Sequence, residues 1–370
     1  MAIGEGFLMK RLFCSSLLLA AVCALSSAAF AQSTYRMTLI DGDPTTPNRT
    51  TAVDLNDRGE VAGVISLDGG IRRSFLFRNG SSLDIGDLEG GTSPQFVTAL
   101  AINNRGDIVG ESLSTGASRP FIYSGGQIGE LKGFASAIGV RPTDINNRRQ
   151  VIGTVTLPTS DPFAPDVKFL QQGSSWTPLD PLPGYFEALV NSINDRGIVA
   201  GASTGPSSRA TIWVEGRPED LGDFPGLISS GARDINDFND IVVSGVTAND
   251  EPRVFLWRRG KITELAGVGE PESQYFNRAE SINNRRQIVG TQFQGDPQQE
   301  PTRIFAVLWE SDGKAFDLNE LISSDDPLKP FVTLSAGEVI NNRGQILARG
   351  RDSRRPAPFA AASYLLTPLP

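Results

Sequence analysis

The sequence contains no histidine. That removes the commonest general base, the commonest zinc ligand and every serine–histidine–aspartate or cysteine–histidine arrangement. Its two cysteines, Cys14 and Cys23, both lie within the first 31 residues. Beyond them, disulfides, thiolate metal sites and cysteine nucleophiles are excluded. Positive charge is also scarce: setting aside Glu5, Lys10 and Arg11 leaves 32 basic and 41 acidic residues, a net charge of −9. Such a balance repels nucleic acid and anionic lipid on average, so no nucleic-acid partner is expected. The chemistry left open is that of carboxylates, lysine, arginine and tyrosine, or of hard cations on oxygen ligands. No catalytic residue, cofactor site or metal-ligand set stands out.

Residues 1–31 read as a secretory signal peptide. Lys10 and Arg11 form a positive start, Leu12–Ser27 is apolar, and Ala29-Phe30-Ala31 is a small-x-small cleavage site before Gln32. The apolar run is too short to span a bilayer stably. Met9 is a second candidate start, and neither cysteine has the context of a lipoprotein cleavage site. The sequence ends "SYLLTPLP", with no apolar stretch and basic tail. A secreted or periplasmic monomer, with no stable membrane anchor after cleavage, is the expectation.

One nine-residue phrase recurs seven times: "LNDRGEVAG" from Leu55, "INNRGDIVG" from Ile102, "INNRRQVIG" from Ile145, "INDRGIVAG" from Ile193, "INDFNDIVV" from Ile235, "INNRRQIVG" from Ile282 and "INNRGQILA" from Ile340. Its starts are 47, 43, 48, 42, 47 and 58 residues apart. Each copy reads as strand, tight turn, strand. The asparagines Asn56, Asn103, Asn146, Asn194, Asn236, Asn283 and Asn341 suit the first turn position, where an Asx side chain bonds the backbone two residues on. Gly59, Gly106, Gly197 and Gly344 suit a left-handed residue that closes the hairpin. Asn239 tolerates that conformation, whereas Arg149 and Arg286 would each cost about 1 kcal/mol there.

About twenty residues later comes a third apolar segment, such as "SFLF" at 74–77 or "VFLW" at 254–257. A fourth follows, such as "LDIGDL" from 83 or "EDLGDF" from 219. Four short β segments in about 47 residues match the grammar of a propeller blade. The seventh copy lacks its fourth segment, and the stretch "YRMTLID" at 35–41 is an orphan in phase with the fourth segments, Leu39 standing for Ile85. The expected fold is all-β: a single seven-bladed β-propeller over residues 32–370, with repeats beginning near 52, 99, 142, 190, 232, 279 and 337. Its last blade takes its outer strand from the N-terminal end, which removes free sheet edges.

The repeat resembles the HAF family of extracellular bacterial repeat proteins. The likeness rests on "ALAINNRGDIVGES" at 99–112, "RVFLWRRGKITEL" at 253–265 and "EDLGDFPG" at 219–226, and extends over residues 35–366. It implies a secreted β-propeller and carries no catalytic residue with it. The His-Ala-Phe that names the family is missing; Arg119-Pro120-Phe121 and Lys168-Phe169 stand in its place.

The turn arginines Arg58, Arg105, Arg148, Arg196, Arg285 and Arg343 share one position, with Phe238 in the remaining copy; they read as solvated turn residues. Asp54, Asp144 and Asp234 each precede the repeat's first apolar residue and read as hydrogen-bonding positions between blades. Trp213, Trp257 and Trp309 read as packing residues. Loops on the face opposite the repeat turn are the expected ligand surface, with Asp161, Asp166, Asp296, Glu300, Asp325 and Asp326 as its carboxylates. The function expected is a non-catalytic binding or scaffolding module for an extracellular glycan or protein. The alternative is a carboxylate-dependent polysaccharide lyase or hydrolase working in the central funnel.

Overall fold

A computed structural model describes residues 34–41, 49–88, 96–114, 117–159, 165–269, 275–295, 300–355 and 361–370. The expected signal segment lies outside these residues, as do Asp161 and Asp296. The described regular structure is almost entirely strand. β1 (Tyr35–Ile40) is followed by β2 (Thr50–Leu55), β3 (Val61–Ser66), β4 (Arg72–Arg78) and β5 (Ser81–Asp84). Then come β6 (Phe96–Ile102), β7 (Ile108–Ser114), β8 (Ala117–Ser124) and β9 (Gln127–Glu130). β10 (Gly139–Ile145), β11 (Val151–Thr156), β12 (Val167–Gln172) and β13 (Ser175–Pro178) precede β14 (Glu187–Ile193), β15 (Val199–Thr204), β16 (Ser208–Val214) and β17 (Arg217–Asp220). β18 (Leu227–Ile235), β19 (Asp240–Thr247), β20 (Pro252–Arg258) and β21 (Lys261–Glu264) lead to β22 (Tyr275–Ile282), β23 (Ile288–Gln294), β24 (Arg303–Trp309) and β25 (Ala315–Asp317). β26 (Val332–Ile340), β27 (Ile346–Asp352) and β28 (Ala361–Pro368) complete the chain.

From β2 onward the strands pair antiparallel in consecutive fours, each four forming one unit. The first two units share a single parallel bridge, Arg72 to Phe96, and are otherwise distinct sheets. The last sheet has the order β1-β28-β27-β26, so its outer strand comes from the other end of the chain. Tyr35 pairs with Pro368 and Ile40 with Ser363. The phase differs by one residue from the sequence reading. Leu39 pairs with Tyr364, as Asp84 pairs with Phe75, so it is Ile40 that matches Ile85. Strand alternation decides this, because Ile40 is buried and Leu39 is half-buried.

Apart from β1, the outer strands are three or four residues long and little buried. The apolar residue that anchors each one lies just after it: Ile85, Leu131, Leu179, Leu221, Leu265 and Leu318 are buried, and each donates its N–H to the third strand. The core sits between neighbouring sheets. Ala62 and Leu76 of one unit, for instance, pack with Val97, Ile108 and Phe121 of the next. Trp213 and Trp309 are fully buried, and Trp257 packs half-buried on its neighbour's core. The two buried indoles donate to the carbonyls of Asp180 (2.7 Å) and Ala266 (2.6 Å). Each such ring contributes about 2–3 kcal/mol through burial.

Every first strand carries a bulge three to one residues before the repeat phrase, from Ala52/Asp54 in the first unit to Gly337/Val339 in the last. The bulge brings a first-strand carbonyl close over the second strand. At Gly110 a Cβ would run into the carbonyl of Thr98 and the ring of Phe121, and at Gly201 into the carbonyl of Leu189. That close approach is why the repeat phrase usually ends in glycine.

Candidate functional site

The repeat turns of all seven units meet on one axis. Asn103 shows how each is built: its Oδ1 accepts the N–H groups of Arg105 (2.9 Å) and Asp107 (3.0 Å). Its Nδ2 donates to the Asn146 carbonyl in the next unit (3.1 Å). The same donation runs from Asn56 to Asn103, Asn146 to Asn194, Asn194 to Asn236, Asn236 to Asn283, Asn283 to Asn341, and from Asn341 back to Asn56. The chain of bonds closes on itself.

A second cycle lies beside the first. The N–H of Asp57 donates to Asn104 Oδ1, Asn104 to Asn147, Asn147 to Asp195, Asp195 to Asp237, Asp237 to Asn284, Asn284 to Asn342 and Asn342 to Asp57. In the sequence this second turn position reads as a central residue of the turn, suited to Asp or Asn; its bond to the next unit is what the structure adds. It is Asn or Asp in every copy.

Gly59, Gly106, Gly197 and Gly344 do occupy the left-handed region, with Asn239, Arg149 (φ 61°) and Arg286 (φ 63°) in the same place. The two arginines reach back to the preceding unit. Arg149 Nε donates to Asp107 Oδ2 at 2.8 Å and Arg286 Nε to Asp240 Oδ2 at 2.7 Å. Both aspartates are buried. Burial pushes the Asp107 carboxyl up, but Arg149, Ser124 and Asn103 outweigh it and hold the group below the ordinary carboxylate range.

The turns surround a cavity of about 170 Å³ whose wall takes residues from all seven units. Leu or Ile, Asn, and Asn or Asp line it, together with Ser192 and Asp234, and no lysine or arginine is among its lining residues. Asp54, Asp144 and Asp234, at equal positions in the first, third and fifth units, join one unit to the next. Each takes the following backbone N–H on Oδ1, and on Oδ2 the N–H of Ile102, Ile193 or Ile282 in the adjoining unit (2.7–2.8 Å). Ser192 Oγ adds a bond to Asp234 Oδ1 at 2.6 Å. Burial, and then repulsion by Asp144, pushes Asp54 up to about 8. Asp144 is pushed up to about 6, chiefly by burial. Burial also raises Asp234. The three carboxyl groups therefore bond as expected between units and also converge electrostatically. Among the described residues, no three or more acidic groups sit close enough to hold a metal ion.

One residue before the positions of Asp54, Asp144 and Asp234, the bulged residues include Arg233, Glu280 and Glu338. Arg233 pairs with Glu280 at 3.2 Å, and Arg349 with Glu338 at 2.6 Å. Burial raises Glu338, with Arg349 opposing and Glu280 adding to the shift. A separate depression of about 330 Å³ between the second and third units has Arg119, Glu130, Lys132 and Phe134 on its wall.

The described loop carboxylates have separate partners. Asp166 accepts from Thr156 Oγ1 at 2.7 Å, and Glu300 is exposed. Asp325 pairs with Arg36 at 2.9 Å. Asp326 is buried and accepts the N–H groups of Met37 (2.6 Å) and Leu328 (2.8 Å). These last two tie their loop to β1. The arginine positions of the turns are solvent-facing, with Arg58 paired to Glu60 at 2.6 Å and Phe238 exposed among them.

No family model matches this chain, and no curated protein sequence does either. Solved structures do. The β-propeller domain of the Trilobed protease from Pyrococcus furiosus, described as having an open velcro topology, is 11% identical and superimposes with a TM-score of 0.55 over 87% of this chain and 98% of that one. The acylaminoacyl peptidase of Pyrococcus horikoshii is 12% identical, with a TM-score of 0.53 over 89% of this chain. This chain spans 53% of that peptidase's length. The fold is of the β-propeller kind. At such identity the likeness concerns architecture alone.

Proposed function

We propose that this chain is a seven-bladed β-propeller, closed by its N-terminal strand, which serves as a non-catalytic binding or scaffolding module outside the bacterial cytoplasm. A signal peptide at residues 1–31 and the likeness to the HAF repeats support export to the periplasm or beyond. Its ligand is an extracellular polysaccharide or a protein partner, met by the monomer. The observation that carries this reading is how the axial carboxyl groups are engaged. Asp54, Asp144 and Asp234 each hold backbone N–H groups of two units, and Glu280 and Glu338 each hold an arginine. Groups fixed in this way are parts of the frame, and the frame presents the surface around them.

The test is a glycan array combined with affinity capture of envelope proteins from the source cell. Retention of a defined glycan or protein without turnover is the expected result. Release of reducing ends or unsaturated sugars from a bound polysaccharide would overturn the reading in favour of a lyase or hydrolase.

A further inference from the structure

Charge is divided unevenly along the axis. In each unit the first and third strands run the same way, so the hairpin after the first and the hairpin after the third open on one end. The inner hairpins are residues 56–60, 103–107, 146–150, 194–198, 236–240, 283–287 and 341–345. The outer ones are 78–81, 124–127, 172–175, 214–217, 258–261 and 309–315. Together they carry 14 basic and 9 acidic residues, a net charge of +5. Of the 32 basic and 41 acidic residues outside 1–31, that leaves 18 against 32 elsewhere, a net charge of −14. An acidic chain therefore gathers its positive charge at the end where the repeat turns meet.

The inner hairpins set the pattern. Arg58, Arg105, Arg148, Arg196, Arg285 and Arg343 hold one position in six units and are all exposed. Since the turns close into a cycle, these side chains make a circle around the axis. Phe238, 48% exposed, takes the seventh place. Several guanidinium groups lie along the circle: a Cβ on Gly106, Gly197 or Gly344 would meet Arg58, Arg148 or Arg285 of the preceding unit.

The carboxylates of the same turns leave this charge largely uncancelled. Asp107 is buried and shared by Arg149 (2.8 Å) and Arg105 (3.6 Å); Asp240 is buried and shared by Arg286 (2.7 Å) and Arg258 (3.6 Å). Each of these clusters keeps one positive charge. Glu60 holds Arg58. Asp57, Asp195 and Asp237 lie inside the circle on the cavity wall, where they accept the N–H groups of Asn342, Asn147 and Asp195. Among the described residues the ion pairs of the circle belong to Arg58 and Arg105, while Arg148, Arg196, Arg285 and Arg343 face solvent without one.

From this arrangement we propose that the circle of turn arginines binds an acidic polysaccharide, one whose sugars carry carboxylate groups. The planar guanidinium takes a carboxylate through two parallel hydrogen bonds, and a surface of one sign gathers a polymer of the other. Phe238 offers an apolar ring for the C–H face of a sugar. One cation per unit, evenly repeated, favours a polymer of like residues over an acidic protein surface, whose charges are irregularly placed. The assignment deepens the binding-module reading and rests on it, and it moves the ligand surface from the loops to the turns.

Fluorescence anisotropy on the full chain tests it, with labelled oligogalacturonate as the probe. The acid form is expected to bind at least about ten-fold more tightly than its methyl ester, which has the same backbone and no charge. Binding should weaken as salt is raised. The triple variant Arg148→Gln, Arg196→Gln, Arg285→Gln should weaken it about ten-fold or more. Arg72→Gln, Arg253→Gln, Arg351→Gln removes the same charge at the opposite end and should leave binding within about two-fold. Both variants alter side chains on the surface, so each keeps its thermal transition, which circular dichroism checks. The comparison of acid with ester needs no variant at all.

Equal binding of acid and ester, or an equal loss in the two triple variants, overturns the proposal. So does binding of poly-glutamate or of phosphatidylglycerol vesicles as tight as that of the oligogalacturonate, which would make the surface one for acidic protein or for membrane. If envelope partners are captured while no oligogalacturonate binds, the arginine site falls and the binding module stands. If the oligogalacturonate binds at the turns and unsaturated or reducing ends are released from it, the non-catalytic reading falls and the site stands.

Discussion

Asn103 uses every hydrogen-bonding group of its amide. Two N–H groups of its own turn fall on Oδ1, while Nδ2 serves the next unit's carbonyl and the Asp107 carboxylate. Aspartate has the same shape but has no donor for those two acceptors, and glutamine is one methylene too long to reach them from this position. Asn103→Asp therefore leaves a buried carbonyl unpaired and sets a carboxylate against it. A loss of about 2–4 kcal/mol is expected, read as a shift in the urea midpoint at unchanged slope. A change below about 0.5 kcal/mol would show that the cycle contributes little. The intra-turn half of this role is legible in the sequence, because an asparagine before a turn has a known local partner. The half that bonds the next unit is not, because a side chain's second partner depends on where the neighbouring repeat lies.

At the scale of the element, the choice of residue in one unit answers a choice in the unit before. Where Asp107 and Asp240 stand in one unit, the left-handed turn position of the next is Arg149 or Arg286. Where Gln150 and Gln287 stand, that position is Gly197 or Gly344. The backbone strain of an arginine there, about 1 kcal/mol, is offset by the ion pair it makes with a buried carboxylate. Arg149→Gly relieves the strain yet leaves buried Asp107 with Asn103, Ser124 and the more distant Arg105 (3.6 Å), and should destabilise the chain by about 1–2 kcal/mol. Adding Asp107→Gln should recover most of that loss, giving a coupling of about 1–2 kcal/mol in a double-mutant cycle of thermal melts. Additive effects would mean that the two turns are independent. The sequence shows Arg149 and Arg286 as oddities of turn chemistry; only the packing of units side by side shows what they reach. The exposed Ile138, Phe186 and Ile228 were missed for a similar reason: they sit ahead of the repeat phrase, and their exposure is a tertiary fact.

For the whole molecule, the converging carboxyl groups set a pH dependence. Asp54 at about 8 and Asp144 at about 6 lie above the unfolded value of about 3.9, so between these limits the folded chain keeps protons that the unfolded chain has released. Stability from these groups is greatest at the acid end of that window and falls as pH rises through it. Asp107 and Asp352 are lowered and act in the opposite sense, losing their contribution below about pH 4. Calorimetry should therefore give a lower melting temperature at about pH 8.5 than at about pH 5, and Asp54→Ser should flatten that slope. A melting temperature that rises over the same range would contradict the account. The four-strand repeat and the return of the last sheet to residues 35–41 were legible, because a period and a missing member are properties of the sequence. The one-residue phase and the bulges were not, since both are settled by which side chain the neighbouring sheet accepts. The pairing of β1 with β28 also orders events in time. Synthesis delivers β1 early, and β28, the strand it pairs with among the described residues, comes near the end. Until β28 is made, β1 carries a row of backbone groups without their sheet partners, and closing so long a loop adds an entropic cost late in assembly. Whatever keeps that strand from pairing early with a stranger is as much a condition of this fold as any contact within it.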